Sequence, residues 1–158
     1  MGASQLAESA PVYLDEATRE RICQLLEGGY PNEAGGFLLG EGSFSGQILV
    51  KEAIPVANQF AVAEQHHRYA MSAQDWLHYE DEADARGLQL LGYYHSHPDS
   101  PATPSEYDRA HALPRFVYLI TAVHQGKAIE MRAWYLKQDR SAFTELSLLP
   151  ANEPMVCS

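Results

Sequence analysis

Fourteen consecutive residues, His95-Ser96-His97-Pro98-Asp99-Ser100-Pro101-Ala102-Thr103-Pro104-Ser105-Glu106-Tyr107-Asp108, constrain this chain more than any other stretch. Tyr93 and Tyr94 precede the two histidines and follow the mostly apolar Leu88-Gln89-Leu90-Leu91-Gly92, which places His95 and His97 at the end of a β-strand. Alternate strand residues share a face, so a spacing of two aims both imidazoles the same way. Asp108 follows His97 with ten residues between, after a Pro-rich loop and in a short helical stretch beginning near Ser105. Such a loop can fold back and bring the carboxylate to the imidazoles. Two neutral histidines and one carboxylate make a tripod for a catalytic zinc with an open fourth position. The same residues carry a plainer reading, a strand end followed by a helix whose Ser105-x-x-Asp108 matches a capping box. The two are compatible, because a helix N-terminus also favours negative charge. Spacing alone leaves both open.

Around this stretch the chain divides into short elements. Residues 1–10 read as a disordered arm and Val12-Tyr13-Leu14 as a short strand. Asp15 caps a helix over 16–27 whose apolar stripe is Ala17, Ile22, Leu25 and Leu26, and Gly28-Gly29 ends it. Pro31-Asn32 predicts a turn, Phe37-Leu38-Leu39 a buried strand, and Gly42 to Gly46 a hairpin loop. Gln47 to Val50 returns and continues irregularly to Val56, and residues 58–71 form a longer excursion. Ser72, with Asp75 three residues on, opens a helix over 73–86 that carries Trp76, Tyr79 and Ala83 on one face and stops at Gly87. Leu88 to His97 is the strand of the histidines, and a short helix covers 105–112. Phe116 to Val123 and Ala128 to Leu136 are strands joined by a turn at Gln125-Gly126, a last strand covers Phe143 to Leu148, and residues 150–158 form a loose tail. The fold class is α+β: one domain over 11–149, with a mostly antiparallel sheet, two main helices and a short one.

Bulk properties narrow the function. A chain of 158 residues with 46% apolar and 20% charged residues is an ordinary globular domain. The net charge of −10 argues against nucleic-acid binding, which needs a basic face. Nowhere do about 18 apolar residues run together, so no transmembrane helix is expected. MGASQLAESAP lacks the basic start and apolar stretch of a secretory signal, and Leu6 stands where myristoylation wants Ser or Thr. Cys23 and Cys157 are too few for a disulfide framework, and Cys23 falls on an apolar helix face. A reducing, cytoplasmic setting fits.

A second segment bears on the chemistry. Glu33-Ala34-Gly35-Gly36-Phe37-Leu38-Leu39-Gly40 sets one acidic residue before a Gly-punctuated apolar strand. Hydrolysis at a zinc site needs a base for the attacking water and a donor for the tetrahedral oxyanion. Glu33 suits the first task and Ser105 the second, although Glu33 on its own reads as a solvated turn residue.

Together these segments resemble the JAMM (MPN-type) zinc metallopeptidases. That family's signature is E-x-x-G-x-L-x-G, then H-S-H-P, then P-S-x-x-D with ten residues between the second His and the Asp. Here it is met by Glu33, Gly36, Leu38 and Gly40, by His95 to Pro98, and by Pro104-Ser105 with Asp108. The resemblance spans roughly residues 11–148. It implies that His95, His97 and Asp108 bind one zinc ion with water as fourth ligand. It implies that Glu33 deprotonates that water and passes the proton to the leaving amine, while the Ser105 hydroxyl donates to the oxyanion. It implies a curved β-sheet flanked by helices, as in cytidine-deaminase-like folds. Family members hydrolyse peptide or isopeptide bonds after the C-terminus of ubiquitin or a ubiquitin-like protein. Compact bacterial members act on sulfur-carrier proteins of ubiquitin-like fold, whose extended tail can add as a strand beside the site.

Two departures stand out. Gly35 occupies a place where small bacterial members often have Cys, which leaves the ligand set intact. The 58–71 excursion is short beside the insertions of linkage-selective deubiquitinases, and no second zinc cluster is apparent. His66, His67, His78, His111 and His124 read as structural. A catalytically silent MPN-type scaffold is the alternative, but such members characteristically lose ligands that this chain retains. A non-haem iron oxygenase, which also uses two histidines and a carboxylate, expects a different motif order. Oligomeric state is not legible in the sequence.

Overall fold

Glycines let the central strands come unusually close. An added Cβ at Gly36 would lie 1.9 Å from the Ile54 carbonyl oxygen, and one at Gly92 would lie 1.8 Å from that of Val117. The strands they join belong to an eight-stranded sheet, seen in a computed structural model that describes residues 10–42, 46–58 and 73–151. In chain order the elements are β1 (Val12–Leu14), α1 (Glu16–Gly29), β2 (Gly35–Gly42), β3 (Ile48–Val56), α2 (Ala73–Ala85), β4 (Gln89–Pro98), α3 (Glu106–His111), β5 (Val117–His124), β6 (Lys127–Leu136), β7 (Phe143–Leu146) and β8 (Leu148–Pro150).

The sheet runs β7-β6-β5-β4-β2-β3-β1-β8. The β2–β3, β2–β4, β5–β6 and β6–β7 pairs are antiparallel, while β1–β3, β1–β8 and β4–β5 are parallel. The expected single strand over Phe143–Leu148 is instead two strands separated only by Ser147, one at each end of the strand order. Neighbours in sequence can sit at opposite sheet edges only if the sheet curls until those edges meet. The Val12 N–H donates to the Ser147 carbonyl at 2.8 Å at that seam. Strand β8 also carries order to Pro150, into the stretch read as a tail. The returning strand β3, expected to be irregular, is a continuous nine-residue strand with one register shift opposite Leu39/Gly40.

Each face of the sheet buries a different set of side chains. Helix α1 is capped by the Asp15 carboxylate, which accepts from Thr18 N–H at 2.7 Å. It lays Ile22 and Leu26 onto a core with Leu38, Tyr94, Leu119 and Ala133. Ala17, expected in the same stripe, is exposed, because at about 100° per residue it falls on the side of the helix opposite Leu26. Helix α2 covers the other face. Trp76 and Tyr79 pack on Phe37 with ring centroids 4.7 and 5.2 Å away, and Trp76 also meets Tyr93 and Phe116. Ala83 is buried as the periodicity requires, and Gly87, at φ 72°, makes the left-handed turn after the helix. Ser72, the excursion over 58–71 beyond Asn58, and residues 43–45 of the hairpin loop lie outside the described residues.

Candidate metal centre

The histidines end β4, where it lies between β2 and β5. His95 pairs with Gly35 on one side and Ile120 on the other, and His97 pairs with Ala122. Both side chains project from the α2 face, as their spacing requires, and both are buried. The chain then leaves the sheet through a loop anchored by Ala102, which packs fully buried against Ile120 and Ala122. The Trp134 indole N–H donates to the Ala102 carbonyl at 3.0 Å. This anchor turns the chain back over the histidines and starts α3 above them.

Ser105 caps α3, and the capping box brings Asp108 inward. The Asp108 N–H donates to Ser105 Oγ at 3.0 Å, and the Ser105 N–H donates to Asp108 Oδ2 at 2.8 Å. Asp108 Oδ2 lies 3.0 Å from His97 Nε2 and Asp108 Oδ1 lies 3.3 Å from His95 Nε2. The two imidazole Nε2 atoms are 3.3 Å apart. Ligand atoms of all three residues therefore fall within 4.8 Å of one another. Among the described residues no other such group of His, Cys, Asp and Glu occurs. The plain reading and the metal reading of this stretch hold together, since one carboxylate oxygen both completes the capping box and faces an imidazole.

The donor set fits a divalent cation. His97 Nδ1 lies 2.9 Å from the Pro101 carbonyl, an arrangement in which Nδ1–H donates and Nε2 keeps its lone pair towards Asp108 and His95. His95 Nδ1 is buried and has no hydrogen-bond partner among the described residues. Its ring is held by Tyr93, stacked at 5.5 Å and 30°. Three buried lone-pair atoms facing one point require positive charge between them. In the metal-free chain His95 is the group shifted towards carrying that charge. Burial opposes it, but the Asp108 carboxylate, with Glu33 adding at longer range, raises the imidazole above its ordinary pKa. Burial likewise pushes the Asp108 carboxyl up, and the two imidazoles more than reverse this, holding it well below the usual carboxylate range.

Glu33 and Ser105 line the same cleft as His97, with Pro98, Thr103 and Pro104, in a volume of about 300 Å³. Glu33 sits two residues before β2, half-buried, in the wall of that cleft. All five residues singled out from the sequence are thus brought to one place. The Pro101 carbonyl and Tyr93 were not foreseen as parts of it. Tyr93 shares a strand face with His95 at a spacing of two, which could have marked it; nothing in the sequence marks a loop carbonyl. His111 Nδ1 lies 2.9 Å from the Tyr107 carbonyl and His124 Nε2 3.3 Å from the Ser100 carbonyl, both outside the cluster. His78 stacks edge-on against Tyr79, and His66 and His67 lie outside the described residues.

Comparison with known proteins agrees with this architecture. The family described as prokaryotic homologs of the JAB domain matches residues 15–137. A desampylase of Haloferax volcanii is 35% identical over 91 residues, which cover 57% of this chain and 62% of that relative, so the match spans less than two thirds of the relative's length. A Desulfitobacterium hafniense protein of known solution structure superposes with a TM-score of 0.76 at 24% identity, covering 90% of this chain and 94% of that one. A Salinibacter ruber protein superposes at 0.68 with 29% identity, covering 94% and 95%. A JAB1/MPN domain protein of Archaeoglobus fulgidus superposes at 0.53 with 15% identity, covering 89% and 98%. The match runs from the cap of α1 to the end of β6 and includes both segments that build the cleft, and on that extent the chain belongs to the prokaryotic JAB-domain family of JAB/MPN proteins.

Proposed function

We propose that the protein is a zinc-dependent hydrolase that cleaves the peptide or isopeptide bond after the C-terminal tail of a ubiquitin-like protein, of the sulfur-carrier kind. The observation that carries this reading is the convergence of His95, His97 and Asp108 in one buried cluster with Glu33 and Ser105 in the wall of the adjoining cleft. A silent scaffold has no use for a full set of ligands beside an acid in a cleft.

His95 Nε2, His97 Nε2 and an Asp108 carboxylate oxygen would hold the metal. A zinc ion bound there supplies Lewis acidity that makes water a nucleophile near neutral pH and polarises the scissile carbonyl. Glu33 takes the proton from the attacking water and delivers it to the departing amine. The Ser105 hydroxyl accepts from the Asp108 N–H, so its own proton is available to the oxyanion as it forms. Pro98, Pro101 and Pro104 make the cleft wall stiff, which favours an extended tail over a folded substrate. A relative named desampylase and the family resemblance both support a ubiquitin-like substrate. No helix among the described residues is long and apolar enough to cross a membrane.

The test pairs two variants on ubiquitin-like carriers bearing C-terminal extensions, with products read by mass spectrometry. Glu33→Gln keeps stoichiometric zinc and loses turnover by at least about 100-fold. His97→Ala loses zinc. Parent-level turnover in Glu33→Gln sinks the role of Glu33, and undiminished zinc in His97→Ala places the metal elsewhere.

A further inference from the structure

The segment carrying Glu33 is not part of any helix or strand. Helix α1 ends at Gly29 and β2 begins at Gly35, so residues 30–34 cross between them without a regular ladder. A catalytic base on such a segment needs something else to fix its main chain. Long-range hydrogen bonds at both ends do so, to the strand of the histidines and to the turn that follows it, and a further one comes from Asn58 between them.

At the near end, the β2–β4 register that pairs Gly35 with His95 continues one step in altered form. The Ser96 N–H donates to the Ala34 carbonyl at 2.9 Å, as in a ladder. The return bond comes from the Ala34 N–H to the Ser96 hydroxyl oxygen at 3.0 Å, a side chain standing where a backbone carbonyl would be. One further step of that register sets Glu33 opposite His97. Alternation then puts Glu33 on the face of the imidazoles and the Ser96 side chain on the opposite face. Ser96 is 1% exposed, so it cannot reach a substrate.

At the far end, the Tyr30 hydroxyl donates to Asp99 Oδ2 at 2.6 Å. Asp99 is itself fixed: its Oδ1 accepts from Gln125 N–H at 2.9 Å, its own N–H donates to the Val123 carbonyl at 2.8 Å, and its φ is 54°. Between the two ends, Asn58 Nδ2 donates to the Glu33 carbonyl at 3.0 Å.

We propose that Ser96 and Tyr30 are positioning residues that strap segment 30–34 to the ligand-bearing strand and so set where the Glu33 carboxylate stands relative to the metal centre. The middle residue of H-S-H thereby acts on the base, while its two neighbours act on the metal. The proposal rests on the reading of Glu33 as the base. A main-chain displacement of about 1 Å can cost a reaction about 100-fold, so the placing of this segment bears directly on turnover.

The test uses the full-length, zinc-loaded chain and, as probe, a ubiquitin-fold protein ending in Gly-Gly and fused linearly to a short peptide. Ser96→Ala lowers kcat by about 10- to 100-fold with KM and zinc content unchanged, and Ser96→Thr, which keeps the hydroxyl, recovers most of the loss. Tyr30→Phe, at a half-buried position away from the ligands, lowers kcat in the same sense by about tenfold or less, and the double variant falls below either. A second arm needs neither substrate nor metal. Amide exchange of Ala34, read by NMR on the metal-free protein, quickens by at least about tenfold in Ser96→Ala while the amides of Leu38 and Leu119 keep their protection. An Ala34 amide exchanging at the parent rate, a parent kcat in Ser96→Ala, or loss of zinc from that variant each overturns the strap. Glu33→Gln assayed alongside separates the two claims: parent turnover there removes the base reading itself, whereas an inactive Glu33→Gln beside a fully active Ser96→Ala removes only the strap.

Discussion

The two histidines of the cluster are oriented by different means. His97 has a hydrogen bond from Nδ1 to a loop carbonyl, the arrangement metal-binding imidazoles usually show. His95 has no such partner among the described residues and relies on the flat face of Tyr93, which is braced edge-on by Tyr118 at 4.6 Å and by Trp76 at 5.9 Å. Packing therefore does for one ligand what a hydrogen bond does for the other. Replacing Tyr93 by Phe keeps the stacking surface and should leave zinc affinity as it is. Replacing it by Ala frees the imidazole to rotate and should weaken zinc binding by about tenfold, the lower end of what losing an orienting partner costs. Chelator competition measures both. Equal affinity in Tyr93→Ala and the parent would mean that the cluster holds His95 unaided.

Among the elements, β4 carries the most. It supplies both imidazoles, pairs with β2 to bring up the Glu33 segment, and pairs in parallel with β5, on which the Ala102 anchor rests. The parallel pairing with β5 places Gly92 directly against Val117, with no room for a Cβ. Gly92→Ala must push the two backbones apart and should destabilise the metal-free protein by about 3 kcal/mol, the upper end of overpacking costs. Urea denaturation measures it; a loss below about 1 kcal/mol would show that these strands part easily. The strands, helices and turns at this level were largely legible, because each is set by local signals. Asp15 caps α1, Trp76, Tyr79 and Ala83 recur at helical spacing, and Gln125 and Gly126 adopt the positive φ that a tight hairpin turn needs. The split at Ser147 was not legible. Phe143 to Leu148 is one apolar-rich run, and only the curl of the whole sheet decides that its halves pair with β6 and β1 at opposite edges. The candidate site residues were picked out through their motif, but the contacts of Tyr30 with Asp99 and of Ser96 with Ala34 span 69 and 62 positions, and no local pattern announces them.

For the molecule as a whole, the cluster should couple stability to pH, with opposite signs in the metal-free protein and in the proposed metal-bound state. Without metal, Asp108 is held below its ordinary pKa, so its contribution is present above about pH 4 and lost as pH falls through the depressed value. His95 is held above its ordinary pKa, so its contribution is complete below about pH 6.5 and is lost as pH rises through the raised value. The metal-free protein should therefore grow less stable as pH rises from about 6.5 through the raised value, as the buried imidazole gives up the charge that faced Asp108. The zinc proposed for this cluster should reverse the slope. It binds only the neutral imidazoles and supplies the positive charge itself, so its affinity, and with it the stabilisation conferred at fixed free zinc, rises over the same interval. At 100 times the dissociation constant that stabilisation is about 2.7 kcal/mol. Thermal unfolding recorded with a chelator and with buffered zinc across this range should give Tm gaps that widen with pH. A gap that stays constant would show that His95 carries no proton in the metal-free protein, and that the three ligand atoms are held together by the fold alone.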